Sequence, residues 1–172
     1  LSYGEVEFGG VRNIGEVAKQ SDVKTIVFIS ADGVSSESVG DINRAKFKAE
    51  EAIRNSGIRY SILQASALYK DFELFQIPQV LRLGETDTWP FGPVEYHFSP
   101  LSHIDMARCL ADAVENPAAG NKTIRMGGPD CLTWGEFLTM IAQQAGINAH
   151  YTKGISKETL IEAIRKNPGN RV

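Results

Sequence analysis

Three short apolar runs alternate with helical patterns along this chain, and the alternation limits the folds open to it. The runs are KTIVFIS (24–30), RYSILQAS (59–66) and KTIRMGG (122–128), each too short for a buried helix. Between them, residues 41–55 and 104–114 repeat apolar or small side chains at helical spacing. Strands that alternate with helices in this way predict an α/β fold with a mostly parallel sheet.

Local signals predict the other elements. A capping box, Thr133 to Glu136, begins a helix that ends at Gly146. The remaining predictions, in chain order, are a helix over 9–20, a left-handed Gly57 after the helix over 41–55, an irregular helix over 71–84 interrupted by Pro78, an extended region over 85–100 with a short strand at 94–98, a strand within AHYTK (149–153), and a last helix capped by Ser156.

Composition excludes several classes of protein. The net charge of −3 and the scattering of basic residues among acidic ones argue against a nucleic-acid partner. No apolar run approaches the roughly 20 residues that a membrane span requires. Two cysteines without a CxxC spacing, and three histidines far apart in sequence, give no support for a disulfide framework or a metal site. We expect a reducing compartment, either cytoplasmic or organellar.

The predicted topology indicates where a ligand would bind. In open parallel sheets, ligands occupy the crevice beyond the carboxyl ends of the strands. The loops that follow the predicted strands, at 30–40, 64–70 and 127–132, are therefore the candidate site loops. Trp89, Phe91, Tyr96 and Phe98 either line a substrate pocket there or pack on the core, and the second role is favoured.

No G-x-G-x-x-G phosphate-binding motif occurs, but six segments follow one another in a characteristic order. They are GGVRNIGEVAKQ, VKTIVFIS, the K-x-x-A-E of residues 46–50, SGIRYSILQASALY, the FSPLSHIDMARCLADAVENP helix region and KTIRMGGPD. This series resembles the atypical short-chain dehydrogenase/reductases, in particular the NmrA-like NAD(P)-binding family. No single segment is diagnostic, and the resemblance depends on all six in register.

The resemblance implies a Rossmann-like, doubly wound sheet that is incomplete at its N-terminal side. The glycine-rich turn that binds the pyrophosphate would precede residue 1. A single domain is expected over 1–172, in which 1–70 form the remainder of the Rossmann core. Residues 71–172 would interleave core segments with a small α/β part on the substrate side. The implied cofactor is NADP or NAD, with NADP favoured.

The resemblance also implies a site with one group replaced. Relatives place a tyrosine and a lysine four residues apart on one helix, where the lysine binds ribose and lowers the tyrosine pKa. Lys46 matches that lysine, but Ile42 occupies the tyrosine position and cannot carry a proton. Ser30 matches the serine that polarises the substrate, with Ser35 or Ser36 as alternatives.

Further cofactor contacts are implied after the second strand, at Ala65, Ser66 and Leu68, where the backbone of relatives approaches the nicotinamide.

Three functions remain open: an NAD(P)H-dependent reductase or isomerase of a small molecule, a non-catalytic NAD(P)H sensor or accessory subunit, and a sugar-nucleotide epimerase or dehydratase. The last suffers because relatives use the missing tyrosine for that chemistry. A protein partner and a homo-oligomer both remain open.

Overall fold

The computed structural model describes Ser2 and residues 4–166, apart from the side chains of residues 70, 71, 73 and 74. The described chain divides into two compact units. The first extends to Ser66 and includes Ile104–Met126, and the second comprises Ala67–His103 and the chain from Gly127 onward. The single domain expected over residues 1–172 stays a prediction.

The chain contains six α-helices and nine short or regular strands within the described residues. The helices are α1 (Gly10–Gln20), α2 (Asp41–Arg54), α3 (Tyr69–Leu83), α4 (His103–Glu115), α5 (Trp134–Gln144) and α6 (Lys157–Lys166). The strands are β1 (Thr25–Ala31), β2 (Arg59–Ala65), β3 (Ala67–Leu68), β4 (Thr88–Trp89), β5 (His97–Phe98), β6 (Pro100–Leu101), β7 (Lys122–Met126), β8 (Leu132–Thr133) and β9 (Lys153–Gly154). A π-helical segment, Gly4–Gly9, precedes α1, and a 3₁₀ turn, Pro117–Ala119, follows α4.

The first unit contains a parallel sheet with the strand order β1-β2-β7. Its register places Ser30 opposite Gln64, and Gln64 opposite Arg125. Residues paired in this way project to the same face of a sheet, so these three side chains form one row. The predicted α/β class and mostly parallel sheet are confirmed.

Helix α2 packs on this sheet through small side chains. Ala45, Ala49 and Ile53 are spaced four residues apart and are all buried, as expected for one face of a helix. Alanines on this face allow the helix backbone to approach the strands closely. Gly57, which follows the helix, has a φ of 77°, the left-handed conformation predicted for its C-terminal end.

The second unit has an aromatic and aliphatic core. Trp89 packs edge-on against Tyr151 at 5.7 Å between ring centroids, and Val80 of α3 and Leu138 of α5 are completely buried beside them. Helix α5 begins with the predicted capping box, in which Thr133 and Glu136 bond reciprocally. Its small sheets pair β3 with β6 and β4 with β9 in parallel, and β5 with β8 antiparallel.

Two local predictions differ from the structure, and one element was not predicted. Helix α3 is continuous through Pro78 and begins at Tyr69, whereas an interrupted helix was expected. Proline removes one helical N–H, but burial of Phe72 and Val80 on either side stabilises the helix through the proline. Within AHYTK, only Lys153 is in a strand. The π-helical segment Gly4–Gly9 was not predicted.

We expect Gly135→Ala to destabilise the protein and Gly15→Ala to leave it unchanged or slightly stabilised. A Cβ at Gly135 would lie 2.3 Å from the Tyr151 carbonyl oxygen, whereas nothing lies within 4 Å of a Cβ at Gly15. Relieving the clash should lower the free energy of unfolding by about 1–3 kcal/mol. Alanine in place of glycine at an open helix position should raise it by roughly 0.5–1 kcal/mol. Urea unfolding of both variants measures this, and equal midpoints would contradict it.

Candidate functional site

Helix α2 holds Lys46 in a partly buried position in the first unit. The Lys46 ammonium lies 3.1 Å from the Glu7 carboxylate, and the two side chains are 21% and 26% exposed. The same ammonium lies 5.8 Å from the centroid of the Phe28 ring, within range of a cation–π contact. Because Phe28 belongs to β1, Lys46 projects toward the sheet and not into open solvent.

The position one helical turn before Lys46 is occupied by a side chain without any titratable group. Ile42 is 36% exposed and lies on the same face of α2 as Lys46, four residues away. A tyrosine in this place could exchange a proton with a ligand, but an isoleucine can contribute only apolar contact. Ile42 itself therefore cannot take part in proton transfer.

Ser30 lies near the carboxyl end of β1 with its hydroxyl buried. The residue is 2% exposed, and its Oγ has no hydrogen-bond partner among the described residues. Phe28 and Ser30 are two residues apart on the strand and share a face, which is the face that Lys46 approaches. A buried hydroxyl without a partner carries a desolvation cost of about 1–3 kcal/mol, which a bound polar ligand would offset.

The two alternative serines are less suited to this role. The Ser35 hydroxyl already has a partner, since it lies 3.3 Å from the Ser38 hydroxyl oxygen. The Ser35 N–H donates to that same Ser38 oxygen at 3.0 Å. Ser36 is exposed on the loop. Among the three candidates, Ser30 alone combines burial with a hydroxyl that lacks a partner in the described structure.

A buried carboxylate fixes α2 to β2 one turn after Lys46. Glu50 is 1% exposed and accepts hydrogen bonds from Gln64 Nε2 at 2.9 Å and from Arg54 at 2.5 Å. Gln64 is the residue opposite Ser30 in the sheet. This network holds the helix that carries Lys46 against the strand row that carries Ser30.

An ion pair that sequence reasoning missed crosses the same edge of the sheet. Arg125 of β7 donates to both carboxylate oxygens of Asp32, at 2.6 and 2.7 Å, above the intervening β2. The hydrogen bonds from Arg125 hold the Asp32 pKa below its ordinary value. Asp32 immediately follows β1, so its position after a strand was the available signal, but its partner lies 93 residues away.

Some of the backbone groups predicted to contact the cofactor already form hydrogen bonds within the protein. The Ala65 carbonyl accepts from the Asp32 N–H at 2.8 Å, and the Ser66 N–H donates to the Met126 carbonyl at 2.9 Å. Leu68 belongs to the second unit, where it pairs with Leu101. The structure thus brings Ser30 and Lys46 to one face of the first unit, with Ala65 and Ser66 at the end of β2.

The second unit contains its own cavity of about 310 Å³ beside a cluster of aromatic rings. Its lining residues are Tyr69, Phe72, Ile77, Ser102, His103, Phe137 and Ile141. Of the four aromatic residues considered for a pocket wall, Trp89 and Phe98 are buried in the two cores, Phe91 packs against one of them, and Tyr96 is 66% exposed. The core role favoured by the sequence is observed for Trp89, Phe91 and Phe98 but not for Tyr96.

Neither a metal-binding cluster nor a membrane-spanning helix occurs among the described residues. In residues 4–166 and Ser2, no group of three or more His, Cys, Asp and Glu side chains could hold a metal ion. In the same part of the chain, no helix is both long enough and apolar enough to cross a membrane.

We expect the Asp32–Arg125 pair to make stability depend on pH in the acid range. Because the folded-state pKa of Asp32 lies below its ordinary 3.8, the pair stabilises the fold above that value. The contribution is lost as the pH falls through the lower folded pKa. Asp32→Asn should therefore lower the thermal midpoint near neutral pH and flatten its fall below about pH 4.

The matched control is Asp22→Asn, which removes the same charge from a pair with Lys24 in which both side chains are more than three-quarters exposed. Exposed pairs contribute little, so this variant should retain the acid profile of the parent protein. Identical acid profiles for Asp32→Asn and Asp22→Asn in calorimetry would contradict the assignment.

A family model described as NAD(P)H-binding matches residues 3–117, more than half of the chain. A solved NADPH-dependent quinone oxidoreductase from Escherichia coli, in complex with NADPH, superposes with a TM-score of 0.72 at 19% identity, covering 94% of this chain and 54% of that one. At that identity, the likeness shows the Rossmann-like fold alone.

Two curated relatives are named for larger assemblies, one as a subunit and one as an assembly factor. The mitochondrial NADH dehydrogenase [ubiquinone] 1 alpha subcomplex subunit 9 of Dictyostelium discoideum is 24% identical over 98% of this chain and 49% of its own length. The Photosystem II assembly factor Ycf39 of Trieres chinensis is 25% identical over 87% of this chain and 46% of its own. This chain thus spans about half the length of these relatives. The family match confirms the NAD(P)-binding resemblance found in the sequence: the chain belongs to the NAD(P)H-binding family.

Proposed function

We propose that this protein binds NAD(P)H and reduces or isomerises a small, partly apolar molecule without a tyrosine acid/base group. The observation that carries the proposal is the shared face of Lys46 and Ser30 in a chain of this family, with Ile42 one turn before the lysine. Lys46 supports retained cofactor binding, and Ile42 argues against the usual proton transfer.

The residues present suit a nicotinamide nucleotide. An ammonium group has three N–H donors, and Glu7 takes one from Lys46, which leaves donors for ribose hydroxyls. The Ser30 hydroxyl is buried without a partner in the described structure and would bond a polar group of the nicotinamide or of the substrate. When bound, a reduced nicotinamide supplies a hydride. The proton would come from water or from the substrate, since Ile42 has none to give.

Contacts from the backbone at Ala65, Ser66 and Leu68 remain part of the proposal. The Ser66 N–H already donates to the Met126 carbonyl, so a nicotinamide amide would have to use other backbone groups of this segment. We also propose that the protein prefers NADP to NAD. Calorimetric titration of the full-length protein with NADPH and then with NADH would test it.

A second candidate is an accessory subunit or sensor that binds NAD(P)H without turnover. The two curated relatives favour it, because one is named as a subunit of NADH dehydrogenase and the other as an assembly factor. The first of these is also named as mitochondrial, so an organellar location is proposed for this chain under this reading. The absence of a proton-carrying side chain at Ile42 is equally consistent with lost catalysis.

The two candidates differ in their dependence on a partner. The reductase predicts NAD(P)H oxidation by the isolated full-length protein with a small acceptor, such as a soluble quinone or an aromatic aldehyde. The accessory subunit predicts nucleotide binding without oxidation, together with migration in a larger particle on native gels. A homo-oligomer would instead appear as a multiple of one chain mass.

Lys46→Met should weaken NADPH binding to the full-length protein roughly tenfold, because a charged hydrogen-bond donor is lost. Lys48→Met is the matched control, since Lys48 is exposed on the same helix. It should bind NADPH as the parent does. Equal affinities of the Lys46 and Lys48 variants in calorimetry would contradict the placement of the cofactor at Lys46.

Ile42→Tyr and Ile42→Phe should change NAD(P)H turnover to the same extent, within a few-fold. The two side chains differ by one hydroxyl, and the proposed reaction takes its proton from water or from the substrate. Steady-state rates of both variants with one acceptor measure the difference. Turnover that vanished only in the tyrosine variant would contradict the proposed source of the proton.

A further inference from the structure

Glu7 is the one charged group that reaches Lys46 from outside the helix, within the described residues. It belongs to the π-helical segment Gly4–Gly9, which contacts α2. π-helical turns are rare and often occur at functional sites. The 3.1 Å separation between Lys46 Nζ and Glu7 Oε2 joins residues 39 positions apart, so tertiary packing alone brings them together.

The pair is among the more buried ion pairs described in the first unit, together with Glu50–Arg54. Both side chains are about three-quarters buried or more, whereas the Asp22–Lys24 pair is almost fully exposed. Burying two charges costs solvation energy that one contact repays only in part. Lys46 is the one hydrogen-bond partner of the Glu7 carboxylate among the described residues, so the carboxylate keeps acceptor capacity for another donor.

An acceptor and a donor held side by side match the chemistry of a vicinal diol. Each hydroxyl of a diol can both donate and accept. One hydroxyl can donate to the Glu7 carboxylate while its neighbour accepts from the Lys46 ammonium. A lone phosphate or carboxylate would be repelled by Glu7, so the pair discriminates against simple anions and favours a neutral sugar ring.

We propose that Glu7 and Lys46 together form a diol-binding site for the nicotinamide ribose, with the Glu7 carboxylate in place of the hydroxyl that Ile42 lacks. This inference rests on the proposed NAD(P)H binding. It adds a residue from outside α2 to that site. The buried Ser30 hydroxyl, on the strand face that Lys46 approaches, adds a polar group that has no partner among the described residues.

A purely structural pair is the competing explanation. In that case Glu7 would only tie the π-helical segment to α2, and ribose hydroxyls would gain nothing from its charge. The two explanations differ in one measurable respect. Only a diol-binding pair makes the effect of a Glu7 substitution depend on the presence of hydroxyls in the ligand.

The experiment uses the full-length protein and two ligands, NADPH and an NADPH analogue that lacks both hydroxyls on the nicotinamide ribose. In the parent protein we expect the analogue to bind roughly tenfold more weakly, the loss typical of charged hydrogen bonds. In Glu7→Gln, NADPH should lose a similar factor, and the difference between the two ligands should shrink to about twofold.

Glu16→Gln is the matched control, because it removes the same charge from an exposed position on α1. It should leave the preference for NADPH over the analogue at its parental value. Because the readout is a ratio of two affinities in one variant, a partial loss of stability in Glu7→Gln does not obscure it.

Two results would overturn the inference in distinguishable ways. If Glu7→Gln keeps the full parental preference for NADPH over the analogue, Glu7 does not bind the diol, and the proposed cofactor binding stands. If the parent protein binds neither ligand, the proposal of NAD(P)H binding is wrong, and the proposal of a diol-binding site is wrong with it.

Discussion

The close packing of α2 on the parallel sheet is the interaction on which the site depends. Ala45 and Ala49 let the helix approach β1 and β2 closely, and the buried Glu50 carboxylate bonds to Gln64 of β2. A buried carboxylate is tolerated only when it is well bonded, so this network fixes the helix in one rotation. That rotation directs Lys46 toward Phe28, and a bulkier residue at position 49 would displace it.

Under the proposed function, the same packing lets the site keep a cofactor role while its chemistry changes. Lys46 and Ser30 would supply the cation and the polar group for a cofactor near the carboxyl end of β1. The usual proton transfer would need a titratable group one turn before Lys46, where Ile42 stands. Because the two requirements fall on different residues, one could be lost while the other is retained.

Much of the fold could be predicted from local sequence, but the partners in the site could not. The β-branched run of β1 and the capping box at Thr133 act within a few residues, and both are confirmed. The partners of Lys46 and of Asp32 lie 39 and 93 residues away, and no local pattern encodes such pairs. The continuity of α3 through Pro78 was not predicted for a related reason. Burial on either side of the proline outweighs the tendency of proline to interrupt a helix.

By itself, the sequence determined the α/β class, the parallel strands and the family resemblance, which implies that Ile42 stands where relatives have a tyrosine. These follow from the identity and spacing of residues along the chain. Only the tertiary structure decided that Ser30 would be buried with its hydroxyl unpaired in the described chain, and that Glu7 would reach Lys46. Burial and ion pairing are properties of the packed chain, because they depend on which distant segments exclude water from a side chain.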